Sequence, residues 1–154
     1  MQLRTHLAIG IFFVLMIAKY FENKWVFVLM VVIGTIIPDL DSSYSSFGRF
    51  LIFRPFQFFI KHRGILHSFT FAVLLSLVFY FFWPIGWLGF FIGYSAHLIA
   101  DCFTKSGVRV FWPFDFKIKG FLRTGGIVDE ILFIMLVTLN LILIVKIILG
   151  LKFI

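Results

Sequence analysis

The sequence predicts an all-α fold, a polytopic transmembrane helical bundle of about five spans that forms a single domain over residues 1–154. Three observations predict it. Apolar residues make up 62% of the chain and charged residues 14%, where a soluble chain carries about a quarter charged. The apolar residues gather into five runs divided by short polar turns. The positive charges sort to one side once those runs are taken as spans. This composition excludes an ordinary cytosolic globule and a disordered chain. It also excludes a disulfide scaffold, because Cys102 is the one cysteine and has no intrachain partner.

The first run, Leu3–Tyr20, has an apolar core at Leu7–Ala18. Arg4 ahead of that core is also a signal-peptide feature. Ala18-Lys19-Tyr20 is no small-residue cleavage site, so a retained span is expected. The second run, Trp25–Ile37, follows the turn Glu22-Asn23-Lys24 and stops at Pro38, because the residue before proline avoids helical geometry. The third, Ile65–Trp83, passes through the hairpin Trp83-Pro84-Ile85-Gly86 into the fourth, Ile85–Ala100. Gly125-Gly126 precedes the fifth, Ile127–Leu149. At a 1.5 Å rise a span needs roughly 20 residues. The third and fifth runs satisfy that. The second and fourth are shorter and depend on flanking residues or a locally thin bilayer. A four-span arrangement is the alternative.

Five spans place the N-terminus and the loops 38–64 and 101–126 on one side. That side holds Arg4 and every Lys and Arg from Arg49 to Arg123. The other holds Lys19, Lys24 and Lys152, with Lys146 near the end of the last span. The imbalance predicts a cytoplasmic-membrane protein with its N-terminus and both long loops in the cytoplasm. The net charge of +7 is spread between apolar runs. It is therefore assigned to topology and anionic lipid, not to nucleic acid.

Both long loops carry interfacial segments, at 43–60 and 108–121. Phe47, Phe50 and Phe53 recur every three residues beside Arg49 and Arg54, which predicts a short interfacial helix broken at Pro55. Phe114-Asp115-Phe116-Lys117-Ile118-Lys119 alternates and predicts a short strand with one apolar face. These aromatics read either as core packing or a membrane belt, or as a greasy entrance for lipid.

Charged and imidazole side chains in a bilayer are costly unless paired or metal-bound. Here they concentrate at one end of all five runs. His6 opens the first run, Asp39 and Asp41 close the second, and His62 and His67 flank the start of the third. His97 and Asp101 end the fourth, and Asp129 and Glu130 open the fifth. All four histidines of the chain belong to this set. A bundle gathers such ends into one ring. His97 and Asp101 are four apart, so they share a helix face and can hold the same ion. Leu98, Ile99 and Ala100 between them face away. Asp39-Leu40-Asp41 offers two carboxylates, or alternatively a cap or Asx turn. His62 and His67 bracket a glycine turn, and two buried imidazoles in so short a stretch favour ligand roles. Asp129 and Glu130 point about 100° apart on a helix, so at most one faces the ring. Their other reading is favourable charge at a helix N-terminus. Cys102 reads as an ordinary small residue. Among the flanking cations Lys61, Arg63, Lys105 and Arg109, Arg63 is the one expected to meet phosphate.

These residues resemble a known family. Thr5-His6, Pro38-Asp39-Leu40-Asp41, His62-Arg63-Gly64-Ile65-Leu66-His67-Ser68 and Gly93-Tyr94-Ser95-Ala96-His97-Leu98-Ile99-Ala100-Asp101 carry the likeness. With Thr104, Gly107 and Trp112-Pro113-Phe114 they are similar to the YdjM-type membrane-bound metal-dependent hydrolases. Several members of that family close the set with Thr-Gly-Ser-x-x-Glu. Thr124-Gly125-Gly126-Ile127-Val128-Asp129 departs from it, which leaves Asp129 and Glu130 as alternatives for the last ligand. More distantly, the ligand order is similar to zinc-dependent phospholipase C and P1-type nuclease, which implies phosphoester hydrolysis.

The expected function is hydrolysis of a phosphoester in a lipid or other amphiphilic substrate at the cytoplasmic face. Two or more divalent ions are expected, zinc or alternatively manganese, held by residues from His6, Asp39, Asp41, His62, His67, His97, Asp101, Asp129 and Glu130. Mixed imidazole and carboxylate donors without thiolate suit those metals. Asp41 or Asp101 is expected to act as base and Arg63 to offset developing charge. The expected partners are membrane lipids and the substrate, not nucleic acid. The alternatives are a metal-ion or proton transporter, and a membrane scaffold with a structural metal site.

Overall fold

A computed structural model describes residues 1–41 and 64–151, with the side chain of Asp41 outside the description. The expected interfacial helix within 43–60, His62 and Arg63 lie outside the described residues. Helix α1 runs over Leu3–Ile17 and continues as a 3-10 turn, Ala18–Tyr20. Helix α2 is Lys24–Ile36, followed by the 3-10 turn Ile37–Asp41. A 3-10 turn at Ile65–His67 leads into α3, Phe69–Phe82. Helix α4 is Trp87–Cys102 and α5 is Ile127–Ile148. Between them, strands β1 (Val108–Arg109) and β2 (Lys117–Ile118) pair antiparallel, Val108 opposite Ile118 and Arg109 opposite Lys117.

The fold is mainly helical, and a helix occupies each of the five apolar runs. The third run differs from expectation. Ser68 takes an extended backbone and its Oγ accepts from the Phe71 N–H at 3.2 Å, so α3 starts at Phe69 and has 14 residues. Ile65 and Leu66 are apolar but belong to the turn before the helix. Among the described residues only Leu3–Tyr20 and Ile127–Ile148 are long and apolar enough to cross a membrane by length and composition.

Helices α2 and α4 cross at backbone contact. A Cβ at Gly34 would lie 2.3 Å from the Phe90 carbonyl oxygen, and one at Gly93 2.1 Å from that of Val31. Gly89 meets the Phe27 carbonyl in the same way, at 2.8 Å. Small residues four apart are the usual means of close helix approach in lipid. Around this crossing Met30, Ala72, Phe90, Tyr94, Leu98 and Val108 form the core. Helix α5 is tied to α1 in mid-helix by Asn140, whose Nδ2 donates to the Ala8 carbonyl at 2.9 Å.

The outside of the bundle is apolar as well. Trp25, Phe82 and Ile148 are 87%, 86% and 76% exposed. Aromatic residues crowd both ends of the helices. Tyr20, Trp25, Phe82 and Trp83 lie at one end, and Phe103, Trp112, Phe114 and Phe121 at the other. Two aromatic girdles around an apolar surface are what a bilayer selects. The expected strand over 114–119 forms only at Lys117–Ile118, with Arg109 Nε bonded to Asp115 across the hairpin at 3.0 Å. The apolar residues of the alternating stretch, Phe114, Phe116 and Ile118, stay exposed instead of packing into the core.

Candidate metal centre

Five of the expected residues converge at one end of the helices. His6 lies one turn into α1, Asp39 in the 3-10 turn after α2, and His67 in the turn before α3. His97 and Asp101 occupy the last turns of α4. The three histidines and Asp101 are essentially inaccessible, and Asp39 is mostly covered. His6 Nε2 lies 3.3 Å from Asp101 Oδ1. His67 Nε2 lies 3.9 Å from Asp101 Oδ2 and 4.0 Å from Asp39 Oδ1. His97 Nε2 lies 3.8 Å from Asp39 Oδ1. The rings of His6 and His97 stack at 3.8 Å. The amino group of Met1 pairs with Asp101 Oδ1.

The supporting bonds explain why the rings sit as they do. Pro38 stops α2, and the last turn of any helix leaves carbonyls without internal donors. His97 Nδ1 meets the Thr35 carbonyl at 2.8 Å. A carbonyl only accepts, so Nδ1 carries the proton and Nε2 carries the lone pair. That lone pair is buried and has no hydrogen-bond donor among the described residues. The Nδ1 of His6 is likewise buried without one. The Tyr94 hydroxyl donates to the Leu66 carbonyl at 2.6 Å and so fixes the turn that carries His67. Burial pushes the Asp39 carboxyl above its usual range, partly opposed by His6 and His67.

Two overlapping groups have the geometry to hold a cation: His6, His97 and Asp101, and Asp39, His67 and His97. Metal–ligand bonds of about 2.1 Å set tetrahedral ligand atoms roughly 3.4 Å apart. The observed separations, from 3.3 to 4.0 Å, are near that spacing or slightly above it. Buried imidazole nitrogens gathered with carboxylates, among them the His97 Nε2 lone pair facing Asp39, thus fit a divalent ion. His97 Nε2 belongs to both groups, yet one lone pair serves one ion.

The remaining expected residues are placed elsewhere or are not described. Asp129 is buried but accepts three bonds, from Thr5 Oγ1 at 2.8 Å, Gly125 N at 2.8 Å and Gln2 N at 3.1 Å. It ties the start of α5 to the start of α1. Glu130 pairs with Arg4 at the surface. Neither joins the two groups. Cys102 packs against the apolar core. Asp41 sits beside Asp39 in the chain, and its side chain, like His62 and Arg63, lies outside the described residues. The sequence reading missed Thr35, Tyr94 and the glycine crossing. Gly89-x-x-x-Gly93 was the available signal for the crossing, and Thr35 was marked by its place in the last turn before Pro38.

Fold and cluster define a helical membrane protein with side chains able to hold a metal buried at one end of its helices. The chain belongs to the YdjM inner membrane protein family, whose profile matches residues 1–152. Inner membrane protein YdjM of Escherichia coli strain K12 is 33% identical over 98 residues, covering 58% of this chain and 50% of that protein. The protein of the same name from Shigella flexneri matches to the same extent. Uncharacterized protein YvsG of Bacillus subtilis strain 168 is 24% identical over 105 residues, covering 64% of this chain and 66% of its own. The aligned part thus spans about half the length of the first two relatives. No solved structure matches the chain.

Proposed function

We propose that the protein is a membrane-embedded metal-dependent hydrolase that cleaves a phosphoester of a lipid or other amphiphile at the cytoplasmic face. In this reading the five helices are all spans, the shorter ones seated in a thinned bilayer. The convergence of His6, Asp39, His67, His97 and Asp101 in an apolar interior is the observation that carries it. An unsatisfied buried polar group costs about 1–3 kcal/mol, so a packing role alone does not account for the buried ring nitrogens of His6 and His97. Nitrogen and oxygen donors suit zinc, with manganese the alternative. A divalent cation held there supplies Lewis acidity toward phosphoryl oxygens and a nucleophile at neutral pH.

The chain's own side chains divide the remaining work. His97, oriented by Thr35, His6 and a carboxylate of the same group, Asp101, would hold the cation. One carboxylate, Asp41 or Asp101, would act as base instead of ligand, and Arg63 would offset the charge that develops on phosphate. Because His97 serves one ion, Asp39 and His67 are the described donors left for a second. The cluster lies at the helix ends, where a lipid headgroup sits, and this selects an amphiphilic substrate. Transport is disfavoured by the same placement, since transport sites lie near the midplane. The mid-helix polar residues Thr138 and Asn140 bond to the Ile134 and Ala8 carbonyls.

The test is phosphate release from phosphatidic acid and a phosphodiester lipid in nanodiscs. Release that stops with chelator, returns with zinc and is absent in Asp101→Ala supports the reading. Unchanged flat baselines in metal-loaded protein refute it, and unfolding by chelator without turnover supports the structural-metal alternative.

A further inference from the structure

We infer that an apolar groove along α1 and α4 holds one hydrocarbon chain of the substrate lipid, so that the protein selects a phosphate-bearing lipid by its tail as well as its headgroup. This rests on the hydrolase reading above. The groove has a volume of about 390 Å³ and is lined by Ile9 and Phe13 of α1, Ala96, Ile99 and Ala100 of α4, and Leu132 of α5. Its lining is almost wholly apolar.

Three relationships join it to the cluster. Ala96 and Ala100 immediately precede His97 and Asp101, so one stretch of α4 forms a wall of both. The alanine side chains are small and leave the space open beside the ligands. Met1 also lines the groove, while its amino group pairs with Asp101. The groove therefore reaches the cluster at its upper end.

Its depth selects the occupant. Phe13 lies on the order of 15 Å below the start of α1, about half of a ~30 Å hydrocarbon core. That is the depth of one leaflet, measured from the end where the headgroup site lies. A partner helix is about 10–12 Å across with its side chains and does not fit a groove of this volume. A single hydrocarbon chain does, and it gains hydrophobic contact along Phe13, Ile99 and Leu132.

Full-length, zinc-loaded protein in phosphatidylcholine nanodiscs is photolabelled with phosphatidic acid carrying a diazirine at the end of one acyl chain. The labelled peptides are then mapped. Label is expected on the peptide bearing Phe13, at the deep end of the groove, several-fold above the outer face of α5 at Ile134 and Leu141. Chelator should lower groove labelling by releasing the headgroup. Ile99 is half exposed, so Ile99→Trp fills the groove without disturbing the core, and Leu132→Trp fills it from the opposite wall. Both should cut groove labelling several-fold while metal content stays at the wild-type level. Even labelling over the whole apolar surface, or groove labelling unchanged in both variants, overturns the inference and leaves the hydrolase reading standing. Groove labelling indifferent to chelator also overturns it, by separating tail from headgroup. Protein that binds no metal removes the hydrolase reading itself and is recognised separately by its metal content.

Discussion

His97 donates its Nδ1–H to the Thr35 carbonyl across 2.8 Å, and this bond leaves the one remaining lone pair of the ring facing Asp39. A helix end created by Pro38 thereby fixes the tautomer of a side chain on another helix. Second partners of this kind orient metal-binding histidines generally. Removing the ring should carry two separable costs. His97→Ala leaves the Thr35 carbonyl buried without its donor, an expected loss of about 1–3 kcal/mol in stability. It also removes the only residue common to both candidate groups. Thermal unfolding of the metal-free protein measures the first cost. A metal-free His97→Ala protein as stable as wild type contradicts the role given to Thr35.

The glycine crossing should control the cluster from a distance. Gly93→Ala places a methyl 2.1 Å from the Val31 carbonyl oxygen, so α2 and α4 must separate. Overpacking of this type costs about 1–3 kcal/mol. Asp39 follows α2 and His97 rides on α4, so separation also weakens metal retention. Zinc competition against a chromogenic chelator should show weaker binding in Gly93→Ala. Wild-type affinity together with wild-type stability contradicts the close crossing.

Asp129 separates a structural carboxylate from a ligand. Its three accepted bonds join Gly125, Gln2 and Thr5. Asp129→Ala should lower stability by roughly 2–3 kcal/mol, as expected for hydrogen bonds to a charged group, yet leave metal content near wild type. Loss of the metal in folded Asp129→Ala protein would return Asp129 to the ligand set.

The raised pKa of Asp39 gives a pH signature in the metal-free protein. The folded state binds the Asp39 proton more tightly than the unfolded chain. Between the two pKa values it therefore holds more protons, and its stability falls as pH rises through that window. Asp39→Asn has no such charge to bury. At pH 7 metal-free Asp39→Asn should unfold at a higher Tm than metal-free wild type. The gap should close as pH falls toward the unfolded value of about 3.9. A gap that grows on acidification contradicts the assignment.

The parts of this account that the sequence displayed are those governed by hydropathy and turns. The runs at Trp25–Ile37 and Ile127–Leu149 became α2 and α5 almost residue for residue, because long apolar stretches ending at Pro38 or beginning after Gly126 leave few other conformations. The placement of His6, Asp39, His67, His97 and Asp101 at one end followed from the same topology. The start of α3 was not legible from apolarity, since Ile65 and Leu66 resemble a span while Ser68 caps the helix. Nor was the difference between Asp101 and Asp129, both acids at the same end of the bundle. What separates them is three-dimensional: Asp101 faces imidazoles, whereas Asp129 is saturated by Thr5 and two main-chain N–H groups. The bond to Thr35 was hidden because its acceptor is a backbone atom, which any residue type supplies.

We propose that this end of the bundle holds metal. Elemental analysis of protein purified without chelator tests it most directly, with His97→Ala and Asp101→Ala prepared in parallel. The account predicts stoichiometric zinc or manganese in the folded wild type and a large loss in both variants. Folded wild-type protein devoid of divalent metal, or full occupancy in both variants, would contradict it.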